Sequence, residues 1–340
     1  MKITVTGGTG FLGSELVPRL VAAGHEVRCL ARSRPRATGI TWIEADIANR
    51  DAVKVALEGA QVVYHLAGRV SRDPKDGPAM YALHVERTRE LLEESKRAGI
   101  RRFVLASTSG TIAVSRTKRV GTEKDDYPIE VVGRWPYYMS KIFEEKMAIV
   151  FCRREGIDLV VMNPSLVLGP GDERLSSTGD IVNFLNRDIP AMPSGGLSFV
   201  DVRDAADAFV AALDRGEVFG RHLIGVNMSF TDWFGRLERL TGVPAPMLRL
   251  PSKVNVLGAQ FLERVARWRG ETPALDSQSV EMGECFFYLD ASKAERLLGF
   301  KARDPQETLH DTVQYILSTM PKGHLPGVKG RLQKVREGRA

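Results

Sequence analysis

Over the first 165 residues, short apolar runs take turns with longer stretches of helical periodicity. The runs Lys2–Thr6, Glu26–Ala31, Thr41–Ala45, Gln61–Leu66, Arg102–Ala106 and Asp158–Asn163 predict strands. Between them, apolar positions three and four apart predict helices near 11–23, 50–58, 79–98 and 136–155. Gly24, Gly59, Gly99 and Gly156 each follow such a stretch, where a left-handed C-cap is expected. The alternation predicts an α/β fold, a doubly wound, Rossmann-like parallel sheet with right-handed crossovers and helices on both faces.

After Asn163 the pattern loosens, with more Pro and Gly, which predicts a smaller mixed C-terminal substrate region. The expected organisation is a dinucleotide-binding domain at 1–165, a substrate-binding region at 166–320 and a tail at 321–340. A helical pattern at Phe199–Leu213 is expected to pack with the first domain as segment 199–215. Residues 250–269 set Val254, Leu257, Phe261, Val265 and Trp268 on one helical face, with Arg264, Arg267 and Arg269 elsewhere. Core packing is the expectation for that face; a lipid entrance or membrane-surface contact is the other reading.

Composition adds bounds. The 340 residues are 43% hydrophobic and 26% charged, enough apolar content for a sizeable core. The net charge of +6 raises the question of an anionic partner. Most of that surplus lies in the tail, where Lys322, Lys329, Arg331, Lys334, Arg336 and Arg339 face the single acid Glu337. The remainder shows no basic motif interleaved with aromatics, so no nucleic acid is expected, and the tail reads as a solvated, disordered end. Cys29, Cys152 and Cys285 are too scattered for a disulfide framework or metal cluster, so no metal is expected and the thiols read as buried bystanders. Neither a secretory signal nor a membrane span of roughly 20 apolar residues is visible, so a cytoplasmic protein is expected.

Thr6-Gly7-Gly8-Thr9-Gly10-Phe11-Leu12-Gly13 joins the first strand to the first helix. Gly7 permits a tight turn, Gly10 lets the backbone approach a pyrophosphate, and Gly13 lets helix and strand pack closely. The helix N-terminus then offers free N–H groups to the phosphates. At the end of the second strand stands Leu30-Ala31-Arg32-Ser33-Arg34-Pro35-Arg36, where an NAD enzyme would carry an acid for the ribose diol. With no carboxylate there and guanidiniums in its place, NADP(H) is the expected cofactor, with Arg32 and Ser33 on the 2′-phosphate; NAD(H) stays open. Asp46 and Ile47, after the third strand, are placed to flank the adenine, with helix capping the alternative for Asp46.

Tyr137 and Lys141 are four apart at the start of a predicted helix and share a face. An adjacent ammonium and a positive nicotinamide favour phenolate, letting a Tyr with an ordinary pKa of about 10 exchange protons near neutrality. The fifth strand ends in Ser107-Thr108-Ser109-Gly110, where a hydroxyl could hold a substrate oxygen while Tyr137 moves the proton.

Together these features make the chain resemble the extended short-chain dehydrogenase/reductase family, the NAD-dependent epimerase/dehydratase superfamily. The matching residues are Thr6–Gly13, Tyr64-His65-Leu66-Ala67-Gly68, Ser107-Thr108-Ser109, Tyr137 with Lys141, and the run from Asn163 to Asp172. Within it the chain looks most like the dihydroflavonol-reductase-like, aldehyde-reductase-like branch, on residues 176–182 and 196–204. The resemblance implies Tyr137 as acid/base and Lys141 as ribose ligand and pKa modulator. It also implies Pro164, Ser165 and Val167 at the nicotinamide end, Leu66, Ala67 and Gly68 along the cofactor, and a homodimer as an allowed assembly. The branch's pattern selects Thr108 as the polarising hydroxyl; the sugar epimerases' register selects Ser109. His84 and Arg87 stand where the family's Asn-Val-x-Gly-Thr pattern has Asn and Gly, leaving that Asn's role open here.

Elimination chemistry lacks its carboxylates after the fifth strand, and NADP(H) exchanges between cycles as a reductant does. Reversible reduction of a small-molecule aldehyde or ketone by hydride transfer is therefore the expected activity. A hydrophobic substrate is expected, with Trp135, Tyr138, Met192, Leu197 and Phe199 as candidate pocket residues. The alternatives are a nucleotide-sugar epimerase with tightly bound NAD and a non-catalytic NADP(H)-sensing regulator.

Overall fold

The computed structural model describes residues 1–268 and 277–319, so the tail lies outside the described residues. The strands are β1 (Lys2–Thr6), β2 (Glu26–Ala31), β3 (Ile40–Glu44), β4 (Val62–His65), β5 (Arg102–Ala106), β6 (Val120–Gly121), β7 (Asp158–Pro164), β8 (Leu166–Leu168), β9 (Gly196–Asp201), β10 (Arg221–Ile224), β11 (Val226–Ser229) and β12 (Tyr288–Leu289). The first helices are α1 (Phe11–Ala22), α2 (Arg50–Leu57), α3 (Gly77–Tyr81), α4 (Thr88–Arg97), α5 (Ile129–Val132), α6 (Pro136–Glu155), α7 (Gly179–Leu185) and α8 (Val202–Arg215). They are followed by α9 (Phe230–Thr241), α10 (Ser252–Trp268), α11 (Ser277–Gly283), α12 (Ser292–Leu298) and α13 (Pro305–Thr319). A π turn, Ala82–Arg87, joins α3 to α4.

Seven strands form one parallel sheet in the order β10-β7-β5-β4-β1-β2-β3. The chain leaves β1 toward β2 on one side and later returns to β4 on the other. That reversal opens a crevice at the carboxyl ends of β1 and β4, where ligands bind in such sheets. The sheet is buried on both faces, as its near-continuous apolar strands require. One face packs on α1, α8 and α12 through Val17, Leu20, Phe209 and Leu298; the other packs on α2, α4 and α6 through Leu57, Leu91 and Ala148. Gly24, Gly59, Gly99 and Gly156 all take positive φ beyond their helices, as expected.

The C-terminal part is built on a mixed sheet, β11-β9-β8, and a core of Phe184, Trp233, Leu237 and Val313. Two expectations are corrected there. Phe199 to Asp201 belong to β9, and α8 begins at Val202, where the Asp201 carboxylate caps the Arg203 N–H at 2.9 Å. The apolar face of α10 does not enter the core; Val254, Leu257, Phe261 and Trp268 are exposed and Val265 is half-buried. Cys29, Cys152 and Cys285 are free and buried, as expected, and burial pushes each thiol pKa up, to about 12, 12 and 11.

Candidate functional site

Above the crevice lies a cavity of about 1500 Å³, running from the glycine loop after β1, past the ends of β5 and β7, to α7 and α9. The loop is shaped for close approach. Gly7 has φ +75°, and a Cβ there would sit 2.6 Å from the Ala67 nitrogen. A Cβ on Gly13 would reach 2.3 Å from the Gly7 carbonyl oxygen, so both positions demand glycine. No side chain caps the N-terminus of α1, which leaves its first-turn N–H groups facing the cavity beside Thr9, Gly10, Phe11 and Leu12. This donor cradle fits a pyrophosphate.

The loop after β2 borders the same end. Arg32 and Ser33 line the cavity; the Arg32 guanidinium is largely exposed and lies 3.8 Å from Asp46. Arg36 ion-pairs with Glu173 across the mouth. Asp46 closes a turn by accepting the Ala48 N–H at 2.9 Å, while Asn49, not Asp46, caps α2. Ile47 is buried in the core beneath, and neither it nor Asp46 lines the cavity. Leu66 and Gly68 line it, whereas Ala67 packs behind.

At the centre stands Tyr137. Pro136 opens α6, and the turn it starts presents Tyr137 to the cavity and Lys141 one turn behind. The Thr108 side chain lies close enough to the phenol to favour its ionised form, and Thr108 is half-buried in the wall. Ser109 also borders the cavity but is buried in the Ser109–Thr111 turn. Burial, with Tyr138 and Glu144 nearby, holds the phenol pKa well above its ordinary value, which corrects the lowering expected from Lys141, and only Thr108 works against the rise.

The Lys141 ammonium donates to the Ala106 carbonyl oxygen at 2.7 Å and ion-pairs with buried Glu144. Burial lifts the Glu144 carboxyl above its usual range, against the pull of Lys141 and of Thr88. Thr88 donates to Glu144 at 3.0 Å, so His65 Nε2, at 2.8 Å, donates to Thr88 and His65 Nδ1 accepts from Thr6 at 2.6 Å. A buried chain of hydrogen bonds thus ties β1, at the root of the glycine loop, to Lys141. Burial and Lys141 push the His65 pKa down to about 3, which keeps the imidazole neutral.

A second buried acid, Glu145, holds the other wall. It accepts from Ser107 at 2.7 Å, Thr111 at 3.1 Å and the Asn163 amide at 3.1 Å through one oxygen, and from Tyr127 at 3.2 Å through the other. The Ser107 hydroxyl, which also lines the cavity, is therefore committed inward. Pro164, Ser165 and Val167 line the cavity beyond; the Ser165 hydroxyl donates to the Ile224 carbonyl oxygen at 3.0 Å.

His84 sits on the π turn. Its Nε2 accepts the Arg69 N–H at 3.0 Å, so Nδ1 donates to the Ser140 hydroxyl at 2.8 Å, and Ser140 donates to the Tyr137 carbonyl oxygen at 2.7 Å. Burial, with Lys141 and His65 nearby, pushes the His84 pKa down to about 2. At the end of the cavity away from the glycine loop, burial works to raise the Asp180 carboxyl, yet the bidentate Arg72 guanidinium, at 2.8 and 2.9 Å, holds it below the usual range. Tyr138 and Leu197 line this lobe as expected. Trp135, Met192 and Phe199 do not; they are core residues. Among the described residues no cluster of His, Cys, Asp and Glu could hold a metal ion.

Sequence reasoning missed Glu144, Glu145 and the Arg72–Asp180 pair. A signal for the two glutamates existed, since positions three and four beyond Lys141 share its helical face.

A model of the NAD dependent epimerase/dehydratase family matches residues 3–225. The chain is 33% identical over 323 residues to a putative dihydroflavonol 4-reductase of Synechocystis sp., covering 92% of this chain and 93% of that one. It is 29% identical to sterol demethylase protein B of Methylococcus capsulatus, over 93% of this chain and 98% of the relative. The crystal structure of gox2253 superposes with a TM-score of 0.79 at 25% identity, over 93% of this chain and 98% of that one.

Proposed function

We propose, from the premise that this chain belongs to the NAD dependent epimerase/dehydratase family, that it is an NADP(H)-dependent oxidoreductase reversibly reducing an aldehyde or ketone. One observation carries the reading: the Tyr137 and Thr108 side chains stand together, close enough to interact, at the wall of a cavity continuous with the glycine loop. Two hydroxyls so placed can hold one carbonyl oxygen. When bound, a nicotinamide cofactor supplies or accepts the hydride. Tyr137 then donates the proton to that oxygen, or removes it from the alcohol in the reverse direction. Lys141, held by Glu144 and the Ala106 carbonyl, is proposed to take the cofactor ribose, with Pro164, Ser165 and Val167 at the nicotinamide. Ser109 supports the turn that aims Thr108. A hydrophobic substrate is supported by the apolar lobe and by the relative named for sterol demethylation.

The test is NADPH consumption with a panel of carbonyl compounds, alongside identification of any nucleotide carried through purification. Turnover of a ketone or aldehyde with exchangeable NADP(H) supports the reading. Retained NAD with no net reduction points to the epimerase, and NADPH binding with no turnover on any compound points to the regulator.

For the cofactor, Arg32→Ala is expected to raise the KM for NADPH about ten- to a hundredfold, the worth of a charge-assisted bond of about 1.5–3 kcal/mol. The KM for NADH should barely move. Equal losses with both nucleotides, or a wild type preferring NADH, would overturn the assignment to a 2′-phosphate.

A further inference from the structure

Helix α10 turns its apolar side to solvent. Asn255, Ala259 and Glu263, spaced by four, form the half-buried side of the helix. The Asn255 amide donates to Glu284 at 2.7 Å, and the Glu263 carboxylate accepts the Ser277 N–H at 3.2 Å. On the opposite side Val254, Leu257, Phe261 and Trp268 follow at spacings of three, four and seven, with Leu262 at their edge. Phe261 is 66% and Trp268 85% exposed, and Met247 and Leu248 in the approach to the helix are exposed too. Single exposed apolar residues are ordinary; a continuous row along a 17-residue helix marks an interaction surface.

The flank identifies the partner. Lys253 and Arg264, about three turns apart, lie along one border of the row and are exposed, as is Arg249 just before the helix. Glu263, the one carboxylate among residues 252–268, faces inward. An outward face with cations and no acid repels a copy of itself, because a two-fold pairing would bring Lys253 and Arg264 against like charge. It complements a layer of anionic headgroups over acyl chains, with Phe and Trp at the depth where amphipathic rings settle. No helix of the described residues is long and apolar enough to cross a membrane, so contact means lying on the surface. Asn255, on the inner side of the helix, borders the cavity, so the same helix spans from the cavity rim to the exposed row.

We propose that α10 seats the protein on an anionic bilayer surface, its apolar row immersed at the headgroup boundary and Lys253 and Arg264 on the phosphates. This surface is independent of the reaction proposed above.

The test uses the full chain with vesicles of phosphatidylcholine and phosphatidylglycerol at about three to one, read by flotation and by the emission of Trp268. Wild type is expected to float and its emission to shift blue, with a shift that Trp268→Phe removes. The double variant Leu257→Glu with Phe261→Glu, and separately Lys253→Glu with Arg264→Glu, are each expected to bind about tenfold more weakly or worse. Salt near 1 M, where screening acts within about 3 Å, should weaken wild type as well. Unchanged thermal midpoints would show the variants folded, since these side chains already face water. Wild type that stays with the unbound fraction, or a Leu257→Glu/Phe261→Glu variant that floats equally well, would overturn the proposal. So would a concentration-dependent dimer that the same variant abolishes while vesicles bind neither protein.

Discussion

Tyr137→Phe is expected to bind NADPH as wild type does and to lose about a hundred- to ten-thousandfold in kcat/KM for carbonyl reduction, the usual worth of a positioned acid. The substitution removes one oxygen and leaves the ring against His84 and Tyr138, whose centroids lie 6.0 and 5.2 Å away. Packing is therefore kept and proton transfer is not. The pH profile separates this from a structural effect. Burial holds the phenol above its ordinary pKa, so it is protonated throughout pH 6–9 and reduction should show no acid-loss limb there. The neutral imidazoles of His65 and His84, titrating at about 3 and about 2, add no limb between pH 5 and 8. Steady-state rates from pH 6 to 9, with NADPH affinity from fluorescence, check the prediction. Near-wild-type turnover in Tyr137→Phe would remove Tyr137 from the chemistry.

The second large effect concerns stability. His65, His84 and His222 are fully buried, and their pKa values are pushed down to about 3, 2 and 4, chiefly by burial. In the unfolded chain a histidine titrates near 6.5. Below that pH the unfolded state binds protons that the folded state refuses, so stability falls as pH falls, and it is fully present only above 6.5. Each histidine contributes a slope approaching about 1.4 kcal/mol per pH unit, and three together approach about 4. The window from pH 6.5 to 5 lies above the ordinary carboxylate range, so the histidines dominate it. The thermal midpoint is expected to drop steeply from pH 7 to 5, and His84→Asn should shed about a third of the slope. A midpoint flat across that window would contradict the neutral, buried assignment.

Much of the nucleotide side was legible in the sequence because its signals are local. Alternating apolar runs marked β1, β2 and β5 to the residue, and the glycines at 7 and 13 announced a turn whose crowding the structure explains. The approach to α8 was not legible: Leu197 to Val202 is an almost continuous apolar run, which fits strand or helix until Asp201 is seen to cap the one and end the other. For α10 the periodicity correctly gave a helix but could not say which way its row faces, since burial in a core and contact with an interface leave the same pattern. At the site, spacing put Tyr137 and Lys141 on one helical face and position put Ser107, Thr108 and Ser109 at the end of β5, while only the family resemblance singled out Thr108. For Glu144 and Glu145 the spacing put both on the Lys141 face, but two adjacent acids on a helix read as surface until Thr88, Ser107 and Asn163 arrive from distant elements to satisfy them. His84 read first as a plain packed or surface residue and second as a hydrogen-bond partner in place of the family's Asn, and the bonds it makes depend on a loop nitrogen fifteen residues away.

The three free thiols divide the molecule among themselves. Cys29 lies in the layer under α1 and α8, Cys152 in the layer under α6, and Cys285 in the cluster around Trp135. A thiol buried and held near pKa 11 or 12 is inert to alkylation until its surroundings open. The native chain thus carries three internal clocks, and the order in which a thiol reagent marks them is the order in which its layers come apart.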